Sequence, residues 1–534
     1  MRMMTKSIKK TLMLMVALVA TTAFAACGGD DDGAGGATVT GMKISKTTLN
    51  FTKDGGTEKV SVQAPVQASA TADAPWLTVT VGTMSANMKV TPVTITADAN
   101  TTETNERTAT VTVTAGTEVQ TISITQEAAE SKSDDTETPV TPSQPSAITA
   151  NAMQIAKQMY PGWNLGNTME GGNNANNWTN NAGLNAETSW QSTKTSQAII
   201  DFVKQQGFRS VRIPTAWVMG HITDKENVTI DPAWLARVKE IVDYCTGDGL
   251  YVFINDHWDG GWLEDSFSDV SDATVAANSE KLKKLWTQIA EYFRDYDEHL
   301  LFAGLNEPYV HGEVTTGMVS ALIKYEQAFI DAVRATGGNN AKRTLIVQGP
   351  QTDIDKTNQY YDVSRLTDPA GSGYLMVEVH YYAPWNFAGM ESDESWGKCF
   401  YYWGADNHVS GSSHNANYGE ESDMNAQFQK MKTKFADKGY PVIVGEYGCM
   451  WRNLSTLSGE SQEKHDASVK LFYKCVNQYA PSNGLIPFVW GTNYCNQNGT
   501  KGGYTVLNRA TLKVFNEPAM QGITEGSAAA QWPY

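Results

Sequence analysis

The stretch Leu301-Phe302-Ala303-Gly304-Leu305-Asn306-Glu307-Pro308 is an apolar run that stops at a polar, titratable end. A short uncharged run suits a strand buried on both faces, as in a parallel sheet. Seven more runs have a similar form: Gly162–Leu165, Ser210–Ile213, Tyr251–Asn255, Leu345–Gln348, Leu375–His380, Val442–Gly445 and Ile486–Val489. Helical faces separate them. Leu235, Val238, Ile241, Val242 and Cys245 make one, and Phe472, Cys475, Val476 and Tyr479 make another. Strands alternating with helices across residues 148–534 predict an α/β fold, a (β/α)8 TIM barrel with inserted loops. The rival is an open doubly wound sheet. The chain has no Gly-rich dinucleotide fingerprint, P-loop, G-x-S-x-G or H-E-x-x-H motif.

A barrel of this kind does its chemistry at the carboxyl ends of its strands. Strand one ends in Trp163-Asn164-Leu165-Gly166-Asn167, strand two in Arg212-Ile213-Pro214 and strand three in Asn255-Asp256-His257-Trp258. Strand four ends in Asn306-Glu307-Pro308, strand six in His380-Tyr381-Tyr382, strand seven in Gly445-Glu446-Tyr447 and strand eight in Val489-Trp490. Singly, Arg212 could be a structural ion-pair partner and Trp490 a core residue. Together, these ends place titratable and aromatic groups around one mouth. Glu307 and Glu446 come from strands that face each other across it. Two carboxylates flanking a bond are what glycosidic cleavage requires, one protonated and one ionised. The pattern calls for no cofactor and no metal.

These motifs, with Phe488-Val489-Trp490, resemble glycoside hydrolase family 5 over residues 150–525 in order and spacing. The resemblance implies a retaining enzyme with Glu307 as acid/base and Glu446 as nucleophile. It implies that Arg212 holds the nucleophile ionised and that Asn306 binds the 2-hydroxyl of the attacked sugar. Tyr382 would hydrogen-bond the nucleophile, His257 and His380 would orient carboxylates and sugar, and Trp490 would form the stacking floor. Asn164 completes the supporting set. Asn185-Ala186-Glu187-Thr188-Ser189-Trp190, Asp259-Gly260-Gly261-Trp262 and the strand-one motif look closest to subfamily four, the endoglucanase and xyloglucanase group. His257-Trp258 departs from that group's His-His, and Asp256 stands where a more apolar residue is usual. Both departures bear on the outer sugar contact.

The amino-terminal third is organised differently. Residues 1–26 have a basic start (Arg2, Lys6, Lys9, Lys10), an apolar run from Leu12 to Ala20, and small residues before Cys27. This reads as a secretory signal, too short to span a bilayer. It resembles a bacterial lipoprotein signal with Phe24 in place of the usual Leu, which makes Cys27 the lipidation site. The alternative is an ordinary signal cleaved at Ala25 or Ala26. Residues 27–36 form a Gly/Asp tether like the acidic surface-export signal of some glycan-degrading Gram-negative bacteria. The expected location is the outer membrane, facing outward. Residues 37–128 alternate at period two, as in Thr108-Ala109-Thr110-Val111-Thr112-Val113, with a turn at Gly116. Antiparallel strands in an immunoglobulin-like sandwich follow. Ala74-Pro75-Trp76-Leu77-Thr78-Val79, Arg107 to Val113 and Ile122-Ser123-Ile124-Thr125-Gln126 resemble a BACON domain. Its two aromatics, Phe51 and Trp76, are expected to be buried, which favours a spacer over a sugar-binding module. Residues 129–147, rich in Pro, Ser, Thr and acid, read as a linker.

The chain of 534 residues carries a net charge of −17, so nucleic acid is not an expected partner. Its 15 Trp and 22 Tyr suit a neutral polysaccharide. Cys245 and Cys475 read as core residues, while a disulfide among Cys399, Cys449 and Cys495 stays open. The segment from Val377 to Val444 holds Trp385, Trp396, Phe400, Tyr401, Tyr402 and Trp403. It is expected to overhang the mouth, although the 400–403 cluster could instead fold as its own mini-core. Trp258 and Trp262 are expected to line the opposite arm. An open aromatic cleft implies endo action by a monomer on soluble β-1,4-glucans. The alternatives are a mannanase or xylanase on the same barrel, or a non-catalytic surface glycan-binding lipoprotein.

Overall fold

The computed structural model describes residues 40–128, except 54, 86–88 and 102–105, and residues 147–534, except 173–182, 310–311 and 496–502. The leader, Cys27, the tether and nearly all of the linker lie outside the described residues. The chain divides into two compact units, at Val140/Thr141.

The first unit has two four-stranded sheets. One orders Lys43–Ile44, Gly56–Gln63, Val90–Ala97 and Leu77–Val81; the other orders Thr48–Phe51, Glu118–Gln126, Arg107–Ala115 and Ser69–Ala72. Alternation puts Val60, Val62, Val93, Ile95, Val111, Val113, Ile122 and Ile124 into a common core, and Thr and Ser outward. One pairing corrects the expectation of antiparallel strands throughout: Thr48–Phe51 runs parallel to Glu118–Gln126. Phe51 is buried. Trp76 is only half-buried, but the Arg107 guanidinium lies 4.4 Å from its ring centroid and covers a face.

The second unit is a closed barrel of eight parallel strands. In chain order they are Gly162–Asn164, Ser210–Ile213, Tyr251–Asn255, Leu300–Ala303, Leu345–Gln348, Leu375–Tyr381, Val442–Tyr447 and Leu485–Val489. Outward residues such as Val211, Val252, Val377 and Val444 pack in one core with the surrounding helices. Inward residues Phe253, Leu301, Ile346, Met376, Ile443, Ile486 and Phe488 fill the barrel, and the short helix Ala152–Ala156 plugs its lower end. Further along the same strands come Asn164, Arg212, Asn255, Gln348 and Glu378, all fully buried. The barrel therefore changes from an apolar floor to a polar upper layer at its carboxyl end. That change positions the site.

His221, in the segment after strand two, is buried, stacks on Trp234 at 3.8 Å and has no hydrogen-bond partner on either ring nitrogen among the described residues. Burial alone lowers its pKa from 6.5 to about 3. The folded state keeps this ring neutral, while the unfolded chain protonates it below 6.5. Its contribution is therefore complete above that value and is lost as pH falls toward 3. Urea unfolding at pH 7 and pH 5 should show His221→Phe gaining about 2 kcal/mol on the wild type at the lower pH. An equal difference at both values would contradict this.

Candidate active site

Strand two delivers Arg212 to the centre of the polar layer, with no side-chain exposure. Its Nη1 donates to Glu446 Oε1 at 2.8 Å and to Asn164 Oδ1 at 3.0 Å, and its Nη2 donates to Asn306 Oδ1 at 2.7 Å. Strands one, two, seven and the end of strand four are thus tied by one guanidinium. Asn164 is held in turn by donating to the carbonyls of Gly445 and Val489, at 2.9 and 3.2 Å. Tyr382 donates to the other Glu446 oxygen at 3.0 Å. Across the mouth, Glu307 Oε1 lies 2.7 Å from His380 Nδ1. The two carboxylates differ in setting: the Glu446 side chain is 8% exposed and that of Glu307 is 31%. Oxygens of the pair approach within 4.8 Å.

Glu307, His380 and Glu446 form the one cluster of three acidic or imidazole side chains this close among the described residues. Arg212, Tyr382 and His380 already supply positive charge and donors to both carboxylates, so the arrangement is an ion-pair network complete in itself. Burial opposes a charge on Arg212, but Glu378 and Glu446 raise its pKa overall. Burial likewise opposes a charge on His380, yet Glu446, Glu307 and Glu378 push its pKa up to about 10. His257 behaves oppositely. Burial first, then Arg212 and His380, hold its pKa well below the usual imidazole range. A neutral His257 stacks parallel to Trp490, with centroids 6.0 Å apart. Close approach shapes this wall, since a Cβ on Gly166 would meet the Trp490 ring at 2.9 Å.

Residues 172–496 match the Cellulase (glycosyl hydrolase family 5) model. The chain belongs to glycosyl hydrolase family 5. Residues 66–127 match the BACON domain model. A solved relative is XEG5B, a xyloglucan-specific β-1,4-glucanase from a ruminal metagenomic library in complex with XXLG. It is 50% identical with a TM-score of 0.66, over 72% of this chain and 98% of that one. The Bacteroides ovatus xyloglucanase in complex with a XXXG heptasaccharide is 29% identical with a TM-score of 0.63, over 91% and 100%. Endoglucanase A of Paenibacillus barcinonensis is 32% identical over 70% of this chain and 90% of its own length.

Several expectations for the family 5 unit need correction. Phe400, Tyr401, Tyr402 and Trp403 do not overhang the mouth; all are buried. Tyr401 and Tyr402 pack with Met390, Cys399 and Leu454 in a small core of their own, and Trp403 joins the main one. Trp385 and Trp396 of the same segment stay exposed. Trp385 borders a cleft of about 340 Å³ with Glu307, His380 and Tyr382. Trp262 borders a separate cleft with Met219 and Asp259, but Lys281 sits 4.1 Å from its ring centroid. Trp258 is half-buried beside it in the chain. Among the described residues Cys399, Cys449 and Cys495 are free thiols, with Cys495 only half-buried, and no disulfide joins them. Asp256, which departs from the subfamily pattern, is buried. Burial raises its pKa and that of Asp259, which faces it. Asp259 accepts from the backbone N–H groups of Trp217 and Val218 at 2.9 and 2.6 Å and so fixes the loop after strand two.

Sequence reasoning missed two carboxylates. Glu264 accepts the Glu307 N–H at 2.7 Å, and burial pushes its pKa up to about 8. Glu378 lies two residues before His380, 3.2 Å from Arg212 Nε. Glu264 sits in a polar loop that gave no signal. The charge of Glu378 inside an apolar strand was visible in the sequence.

Arg212→Met would leave Glu378 and Glu446 buried without their cation. It should cost about 3–5 kcal/mol in urea unfolding. A variant as stable as the wild type would show that Arg212 is not central to the barrel mouth.

Proposed function

We propose that this protein is a retaining, endo-acting β-1,4-glucanase for soluble plant glucans, with xyloglucan and mixed-linkage glucan ahead of cellulose. The observation that carries this reading is the pair Glu307 and Glu446, with carboxylate oxygens within 4.8 Å of each other. Retaining enzymes place their carboxyl groups about 5–5.5 Å apart, whereas inverting ones need about 6.5–9.5 Å to admit a water. Glu446 is the nucleophile because it is the deeper of the two, with Arg212 donating to one oxygen and Tyr382 to the other. Glu307 is the acid/base because it is the more open of the two and shares a hydrogen bond with His380.

In the first step a Glu446 oxygen forms a bond to the anomeric carbon as the glycosidic C–O bond breaks. The proton of Glu307 goes to the departing oxygen. In the second step water gives its hydroxyl to the anomeric carbon and its proton to Glu307, and Glu446 leaves as a carboxylate. Asn306 reaches the 2-hydroxyl, Trp490 stacks under the attacked sugar, and His257 completes that wall.

The relatives support the substrate class: XEG5B is xyloglucan-specific, and the Paenibacillus relative is an endoglucanase. Exposed Trp385 beside Glu307 suits a sugar on the leaving side. Mannanase or xylanase activity is the alternative on the same barrel. The covered face of Trp76 favours a spacer role for the BACON unit. The leader and Cys27 support a lipid-anchored monomer on the outer membrane.

Proton NMR of a xyloglucan digest should show the β-anomer as the first-formed reducing end. Viscosity should fall faster than reducing ends appear. An α-anomer formed first would overturn the mechanism, and steady release of one disaccharide would overturn endo action.

A further inference from the structure

The acid/base carboxylate does not meet the barrel alone. His380 bridges Glu307 on one ring nitrogen and Glu378 on the other, at 2.7 and 3.4 Å. Glu378 has no side-chain exposure. Its Oε2 accepts from Gln348 Nε2 at 2.7 Å, while its Oε1 faces Arg212 Nε at 3.2 Å as a charge contact without an aligned hydrogen bond. The barrel makes room for this carboxylate: a Cβ on Gly445 would lie 1.8 Å from Glu378 Oε1.

We propose that Glu378 is a positioning residue that keeps a proton on His380 Nε2, so that Nδ1 and Glu307 share the proton required by the leaving glycosidic oxygen. This rests on the reading of Glu307 as the acid/base.

The geometry leaves little choice. An ionised Glu378 only accepts hydrogen bonds, so the Nε2 facing it must carry a hydrogen. Nδ1 then either carries the second proton, with Glu307 ionised, or leaves it on Glu307. The two arrangements contain the same number of protons, and both hold the acid's proton inside one short hydrogen bond. With no charge at position 378, nothing fixes Nε2–H against its tautomer.

Other groups face this imidazole. Glu446 from strand seven lies 3.9 Å from Nδ1. Arg212 and His257 act on it from strands two and three, and Glu264 from the segment after strand three. Arg212 repels a proton on the ring, and Glu446 and Glu307 attract one. Glu378 tips the balance because it faces Arg212 and His380 at once. Burial raises its pKa, but Arg212 and His380 outweigh this and lower it, so the carboxylate remains charged.

The test has two arms. In ¹⁵N-histidine spectra of the intact chain, assigned by loss of one signal set in His380→Asn, His380 should show Nε2 protonated at pH 8. In Glu378→Gln the basic limb of kcat/KM should move at least one pH unit toward acid. The acidic limb should move the same way, because removing an anion lowers the pKa of each neighbour. A His380 Nε2 without a hydrogen at pH 7 in the wild type would overturn the proposal, whether or not the variant folds. So would a folded Glu378→Gln with an unmoved basic limb. A protonated His380 Nε2 in a chain that cleaves no β-glucan would uphold the Glu378 charge contact and sink the reading of Glu307 as a glucanase acid.

Discussion

A guanidinium without solvent contact, Arg212, is shared between two carboxylates, and the barrel mouth depends on it. Charges removed from water are costly unless each is paired and hydrogen-bonded. Here Arg212 touches Glu446 and Glu378 and reaches the side-chain oxygens of Asn164 and Asn306. Those four partners come from four places in the chain that meet only if the barrel closes. The same contact that orders the mouth holds the Glu446 carboxylate in place, so the fold and the candidate site share one interaction.

The two glutamates get their separate roles from their surroundings. Glu446 sits deep, against a cation that cannot lose its proton, with a tyrosine hydroxyl on its other oxygen. Glu307 lies nearer the opening and faces an imidazole. Its backbone is fixed by Glu264, and that carboxyl accepts the Glu307 N–H from behind.

Much of this was legible in the sequence because it is repetitive or terminal. Each barrel strand is a short apolar run with a polar end, and Ser210–Ile213, Tyr251–Asn255 and Leu345–Gln348 have the bounds their patterns suggest. Glu307 and Glu446 stand just past such runs, where side chains turn toward the mouth. The 400–403 cluster was harder. Four aromatics in a loop look the same whether they face a ligand or a core, and only packing decides it, of Tyr401 and Tyr402 against Met390 and Leu454 and of Phe400 and Trp403 in the main core. The Asp256–Asp259 pair is similar: in sequence two acids suggest a polar surface, and only their burial raises both pKa values. Glu378 was overlooked because the strand was read for its apolar members.

The central claim is the division of labour between Glu446 and Glu307. Its most direct measurement is peptide mass spectrometry after reaction with an activated 2-deoxy-2-fluoro-cellobioside, whose fluorine slows release of a glycosyl-enzyme. The expected result is one glycosyl adduct, on the peptide bearing Glu446, absent in Glu446→Gln. An adduct on Glu307, or full turnover with no covalent species, would contradict the account.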